Sequence, residues 1–184
     1  MLLKLKEPKV LADAIALLSE LVLEVKALVS KQGFEIVAID PANVALVDLK
    51  MPPSSFSQFD VDKSEELGLN LEDLKQVLRR VPPEALLTIE KEDNTLKLEI
   101  ENKTKRKFSL ALINIDAEDK KVPELSFSSR VELDSNTFTE LINDAAIVAD
   151  SCTFIASPES FIIEAKGTLH KSRTELSGDE AQRA

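Results

Sequence analysis

Apolar residues at helical spacing alternate along this chain with short runs of period two, and the two patterns appear twice in the same order. Leu2 to Leu5 alternates as a strand, and Pro8 then suits an early helical position, where a missing donor is not needed. Val10, Leu11, Ala14, Ile15, Leu18, Leu21 and Val22 follow one helix face. Strands are expected at Val25–Ser30, Phe34–Ile39 and Val44–Leu49, with Lys31-Gln32-Gly33 as the first turn. After a loop over Met51–Ser57, Asn70 is a good N-cap for a second helix that runs to about Arg80, before Pro82-Pro83. Leu86–Glu90, Thr95–Glu101 and Arg106–Ile113 read as three more strands.

The opening then recurs. Val131–Leu133 reads as a strand and Ser135–Val148 as a helix presenting Phe138, Leu141, Ile142, Ala145 and Val148. Cys152–Ala156 and Phe161–Lys166 follow as strands around Ser157-Pro158-Glu159-Ser160. At an offset of 127 positions Phe34 falls on Phe161, Ile15 on Ile142, Leu18 on Ala145, Leu21 on Val148 and Ala38 on Ala165. Self-similarity at a fixed offset outweighs any single propensity, so a strand–helix–strand–strand unit is expected twice. The second copy is expected to stop before its second helix, roughly 55–60 residues short of the first unit's length. GDEAQRA reads as a polar tail, and a shortened subunit, natural or constructed, is the expectation.

The composition removes several function classes. The chain has 184 residues, enough for one good core or two smaller ones. No apolar run approaches the roughly 18 residues of a membrane span, and MLLKLKEPK lacks the apolar core of a secretory signal. The single cysteine, Cys152, cannot form an internal disulfide, which fits a reducing cytosol. Cys152 and the single histidine, His170, leave little material for thiol metal sites or histidine base chemistry, and no catalytic constellation emerges. The scattered glycines form no phosphate cradle. Asp60 and Asp62 are accounted for as loop carboxylates, so no metal or other cofactor is expected. Without Trp or Tyr, base stacking is an improbable mode of nucleic-acid reading. The net charge of −10 opposes a general DNA-binding domain.

Specific blocks sharpen this picture. Phe34–Leu49 reads FEIVAIDPANVALVDL, and Gly68-Leu69-Asn70-Leu71 stands where a helix opens. Leu112-Ile113-Asn114-Ile115-Asp116, Val122-Pro123-Glu124-Leu125 and Asp144–Ser151 (DAAIVADS) follow in order. Together they resemble the proliferating-cell-nuclear-antigen (PCNA) type of DNA sliding clamp, most closely its archaeal members. The resemblance implies an α+β fold of duplicated βαββ-containing clamp domains, with helices on one face of antiparallel sheets and the second domain incomplete. It implies domain 1 over residues 1–114, a connector over 115–128 and a partial domain 2 over 129–184.

By that resemblance the function is topological, without catalysis: a homotrimeric ring encircles duplex DNA through weak, sequence-blind contacts. Polymerase, ligase, flap nuclease and clamp loader would be its partners, in the cytoplasm, or the nucleus if eukaryotic. Net acidity hardly opposes such a ring, which needs basic groups only inside. Lys75 and Arg79 match the DNA-facing positions of the second helix, although a solvated helix face accounts for them equally simply. The first helix carries Ala12, Asp13 and Ser19, and the repeat helix Asn143 and Ile147, where relatives place basic residues. Weak, salt-dependent contact is therefore expected.

Subunit joining in the family pairs two edge strands, here Lys107–Leu112, with Lys107, Ser109 and Ala111, and Thr168–Thr174, with Leu169 and Lys171. Arg80 against Glu140 and Asp144 matches an added ion-pair set, with a plain solvated face as the other account. A partner-peptide pocket is implied at Ile39, Asn43, Val44, Leu46, Val122 and Pro123, with at least one of Val44 and Leu46 expected in the strand's core. Two other readings remain open: an incomplete clamp acting as a monomeric or dimeric interaction module, and an unrelated α+β binding scaffold.

Overall fold

The computed structural model describes residues 1–115, 122–158 and 160–177. Its chain divides into two compact units, Met1–Pro123 and Glu124–Ala184.

In the first unit, β1 (Leu2–Leu5) leads into α1 (Pro8–Ser19), with proline in the first helical turn. β2 (Glu24–Ser30), β3 (Gly33–Ile39) and β4 (Leu46–Met51) form a meander, and a 3₁₀ turn at Pro53–Ser55 precedes β5 (Gln58–Asp60). β6 (Glu65–Asn70) runs directly into α2 (Leu71–Leu78), and β7 (Leu86–Glu92), β8 (Thr95–Glu101) and β9 (Lys105–Ala111) complete the unit. All pairings are antiparallel, giving one sheet in the order β5-β1-β7-β8-β9 and another in the order β4-β3-β2-β6. Leu3 and Leu98 of one sheet share a core with Ile36 and Leu67 of the other and with Ile15 and Leu78 of the helices. The helices pack side by side.

Two blocks far apart in sequence close this unit. Leu112 donates its N–H to the Asn94 carbonyl at 2.9 Å and accepts from the Asn94 side chain at 3.0 Å, tying it to the β7–β8 turn. Ile113 donates to the Gly68 carbonyl at 3.0 Å, tying the next residue to β6 in the other sheet. A Cβ on Gly68 would stand 1.9 Å from the Ile113 carbonyl oxygen, so only glycine permits this approach.

The second unit contains α3 (Ser135–Ala146), β10 (Cys152–Ala156), β11 (Ser160–Lys166) and β12 (Lys171–Ser177). The Asp134 carboxylate caps α3 by accepting from the N–H groups of Asn136 and Thr137 at 3.0 and 3.1 Å. The three strands form an antiparallel sheet in the order β10-β11-β12, with α3 against β11 and β12. Leu141, Ala145, Phe161, Ile163 and Ala165 make its small core. The duplication is present: at an offset of 127, the bounds of α1 map onto those of α3, and those of β3 onto β11.

Several expected bounds are corrected. The strand at Val131–Leu133 reduces to a single bridge residue, Glu132, because β1's ladders to β5 and β7 have no counterpart among the described residues of this unit. β5 and β6 fall between the expected loop, which ends at Ser57, and the expected helix start near Asn70, a stretch with no expected element, so Gly68, Leu69 and Asn70 end a strand. α2 stops at Leu78 and α3 at Ala146, each before the expected end, and β4 begins at Leu46 instead of Val44. The joining strand expected at Lys107–Leu112 is β9, Lys105–Ala111, and Leu112 is buried. The strand expected at Thr168–Thr174 begins at Lys171, since Gly167 donates to the His170 carbonyl at 2.9 Å and makes that stretch a turn. The connector's Asp116–Lys121 lies outside the described residues.

Candidate nucleic-acid and partner interfaces

Lys75 and Arg79 do not form one open basic face. Asn70 caps α2, accepting from the Asp73 N–H at 3.1 Å, and leads an eight-residue helix that lies along α1. That packing leaves only 9% of the Lys75 side chain exposed. Its ammonium donates to Glu20 Oε1 at 2.9 Å and lies 3.6 Å from Glu72 Oε2. For Lys75 the reading of a solvated helix face is therefore corrected. Arg79, at the helix end, is exposed as expected. Glu20 sits at the C-cap of α1, and its carboxyl is held below the usual range by the Lys75 hydrogen bond, then by the Lys75 charge, with Arg79 assisting. Sequence reasoning missed Glu20. Its signal was a carboxylate at a helix C-terminus, where the helix dipole disfavours negative charge.

The strand edges carry their expected residues in two different states. β9 is the edge of its sheet, with Lys107, Ser109 and Ala111 exposed. Lys107 lies 3.2 Å from Glu99 on β8, which also holds Lys105 at 2.6 Å, so its charge is engaged within its own sheet. These two lysines pull the Glu99 carboxyl down, with the Lys105 hydrogen bond the leading cause. β12 is the edge of the second unit's sheet and starts at the exposed Lys171. Leu169 is 87% exposed but lies in the preceding turn. Arg80, Glu140 and Asp144 are all exposed, the last two one turn apart on α3.

The β3–β4 connection gathers four of the six pocket candidates. Ile39 and Leu46 are cross-strand partners, both half-buried, while Asn43 and Val44 stand out at the tip. Val44 is 86% exposed, which rules out a core position for it, and Leu46 is only half-buried. The neighbouring Val47 and Leu49 pack against the core instead, so the expectation of a core residue among Val44 and Leu46 is corrected. Val122 and Pro123 are exposed and follow the undescribed stretch.

Asp40 builds the loop. Its Oδ1 accepts from the N–H groups of Val44 and Ala45, both at 2.7 Å, and Oδ2 from Ala42 at 3.3 Å. Its carbonyl accepts from Asn43 at 2.9 Å, holding that residue at φ +56°, a conformation asparagine tolerates. These backbone donors, Ala45 and Val44 first, lower the Asp40 carboxyl from its ordinary value of 3.8. The bonded form is the ionised one, so ordering of the loop is complete above that value and fades as pH falls through the lower folded one. Sequence reasoning placed Asp40 in the loop without giving it a role, although a short acidic side chain before Pro-Ala-Asn is the usual signal for such a turn.

Among the described residues, no three or more His, Cys, Asp or Glu side chains gather to hold a metal ion. No described helix is long and apolar enough to cross a membrane.

An α+β unit repeated at a fixed offset, with helices on antiparallel sheets and, in the first copy, a second helix and an acid-organised loop after β3, defines the DNA-clamp class of fold. Residues 1–121 match the family described as Proliferating cell nuclear antigen, N-terminal domain. The DNA polymerase sliding clamp of Thermococcus gammatolerans is 35% identical over 169 residues, 91% of this chain and 68% of the relative. The DNA polymerase sliding clamp of Pyrococcus abyssi is 34% identical over the same shares. Among solved structures, PCNA from Thermococcus kodakaraensis superposes with a TM-score of 0.90 at 26% identity, over 97% of this chain and 73% of that one. A chain of the PCNA2–PCNA3 complex from Sulfolobus tokodaii gives a TM-score of 0.88 at 26% identity, over 100% and 78%. The chain belongs to the proliferating-cell-nuclear-antigen family of sliding clamps. The unrelated-scaffold reading falls with that.

Proposed function

We propose that this chain is a sliding-clamp subunit, a DNA polymerase processivity factor that encircles duplex DNA and tethers replication and repair proteins. The observation that carries this reading is the family match over residues 1–121 with sliding-clamp relatives aligned over 91% of the chain, joined to the duplicated fold. A second copy of the chain is the partner in assembly, with a homotrimer as the ring and the β9 and β12 edges as the surfaces that pair. Arg80 with Glu140 and Asp144 adds exposed ion pairs of about 0–1 kcal/mol each, so strand pairing carries the joint. Polymerase, ligase, flap nuclease and clamp loader are the proposed tethered proteins, and the work done is binding, without catalysis. An archaeal cytoplasm, or a nucleus in a eukaryote, is the proposed setting.

Light scattering should give about three subunits, and the protein should be retained on closed circular duplex and lost from linear duplex. A monomeric mass with equal loss from both DNA forms would overturn the ring and favour the open interaction module instead.

The loop at Asp40 is the proposed partner contact, with Val44 as its apolar tip. Asp40→Ala removes the acceptor for three backbone donors. Amide exchange at Val44 and Ala45 should accelerate, and a hydrophobic-aromatic partner peptide should bind about tenfold more weakly as preorganisation is lost. Unchanged exchange with unchanged affinity would exclude Asp40 as the organiser.

A further inference from the structure

We propose that Glu20 is an electrostatic brake on DNA contact: its carboxylate occupies the place beside Lys75 and Arg79 that a backbone phosphate would take. This rests on the clamp reading, and it explains a feature that reading leaves over. A lysine offered to phosphate needs an accessible ammonium, yet Lys75 is buried and paired. The groups that shield it are themselves near solvent: the Glu20 side chain is 72% exposed and that of Glu72 47%. The carboxylates paired with the ammonium are therefore ones that a polyanion can reach and displace. Glu20 also stands at the C-cap of α1, where it opposes the helix dipole and is favoured only by its cationic neighbours. Lys75, Arg79, Glu20 and Glu72 together carry no net charge, so this pair of helix ends presents little attraction to duplex DNA until Glu20 yields. For a ring whose duty is to slide, a carboxylate that competes with every phosphate keeps each contact brief.

The test is anisotropy of a short fluorescent duplex titrated with the full chain across a salt series. Glu20→Gln should expose one phosphate contact, steepening the log affinity against log salt slope by about 0.9 and tightening binding about tenfold near 0.1 M salt. Glu20→Asp, which keeps the charge, should bind as the parent does. Glu20→Gln combined with Lys75→Gln should return to the parent slope, identifying Lys75 as the unmasked group. Glu72→Gln leaves the 2.9 Å pair intact and should give a smaller rise, an independent arm should Glu20→Gln fail to fold. If Arg79→Gln weakens binding while Glu20→Gln changes nothing or weakens it too, the brake is wrong and the DNA face stands. If neither parent nor any variant binds at low salt, the DNA face itself falls, and the brake with it.

Discussion

Gly68→Ala is expected to destabilise the first unit by about 3 kcal/mol, a fall in melting temperature of about 10 °C. The added methyl would lie 1.9 Å from the Ile113 carbonyl oxygen and 2.9 Å from its carbon. Both are backbone atoms in a segment held at each end, Ile113 by Gly68 and Leu112 by Asn94, so no side chain can swing aside. The substitution must part β6 from residues 112–113, and with them the stitch between the two sheets. Amide exchange should localise the damage, with the Leu112 and Ile113 N–H groups losing protection first. An unaltered melting temperature would show that the 112–113 segment does not hold the sheets together.

The same contact shows how much of the fold the sequence discloses. Gly68-Leu69-Asn70-Leu71 and Leu112-Ile113-Asn114-Ile115-Asp116 stand out as separate blocks, and only the structure shows that they touch. Periodicity located β3 and β11 to within a residue and the starts of α1 and α3, but α1 ends at Ser19, short of Leu21 and Val22, and Val10 and Leu21 of its expected apolar face are exposed. β6 escaped notice, although Leu67 and Leu69 alternate correctly and are buried. Two glutamates and a glycine dilute its strand propensity, and Asn70 draws attention to the helix instead. Its strand character comes from the ladder to β2, where Ala27 faces Leu67.

The candidate sites were less legible, since their states depend on contacts made far along the chain. Lys75 lies on the polar side of α2 by periodicity, but α1 covers that flank and supplies Glu20, 55 positions away. Thr168 and Leu169 have strand propensity, yet the turn closed by Gly167 and His170 claims them. A fixed offset also misleads here. The β3–β4 connection runs over residues 40–45 and its counterpart over 167–170, so β12 starts earlier than the repeat predicts. The shorter turn has no acidic organiser like Asp40, which places the proposed partner loop in the first unit alone.

The repeat supplies its own second test, because equal chemistry sits in unequal surroundings. Ile36 and Ile163 correspond at the offset of 127, lie on the equivalent strands β3 and β11 of the two units, and are 1% and 2% exposed. Truncating each to alanine removes the same atoms. The cost then differs by how far the surroundings can settle into the void. Ile36 is enclosed by two sheets and two helices whose ladders fix them in place. Ile163 belongs to a cluster of five buried residues and faces Phe154 across the ladder, a ring that is 53% exposed. A wall built partly from so exposed a ring is expected to settle into a void more readily than one held on every side. Ile36→Ala is expected to cost about 4 kcal/mol and Ile163→Ala about 2, both within the range measured for such truncations. Because two units need not unfold together, amide exchange under denaturant is the proper measurement, read separately for residues of each unit. Equal losses, or a larger one at Ile163, would mean that the second unit's core is as rigidly walled as the first.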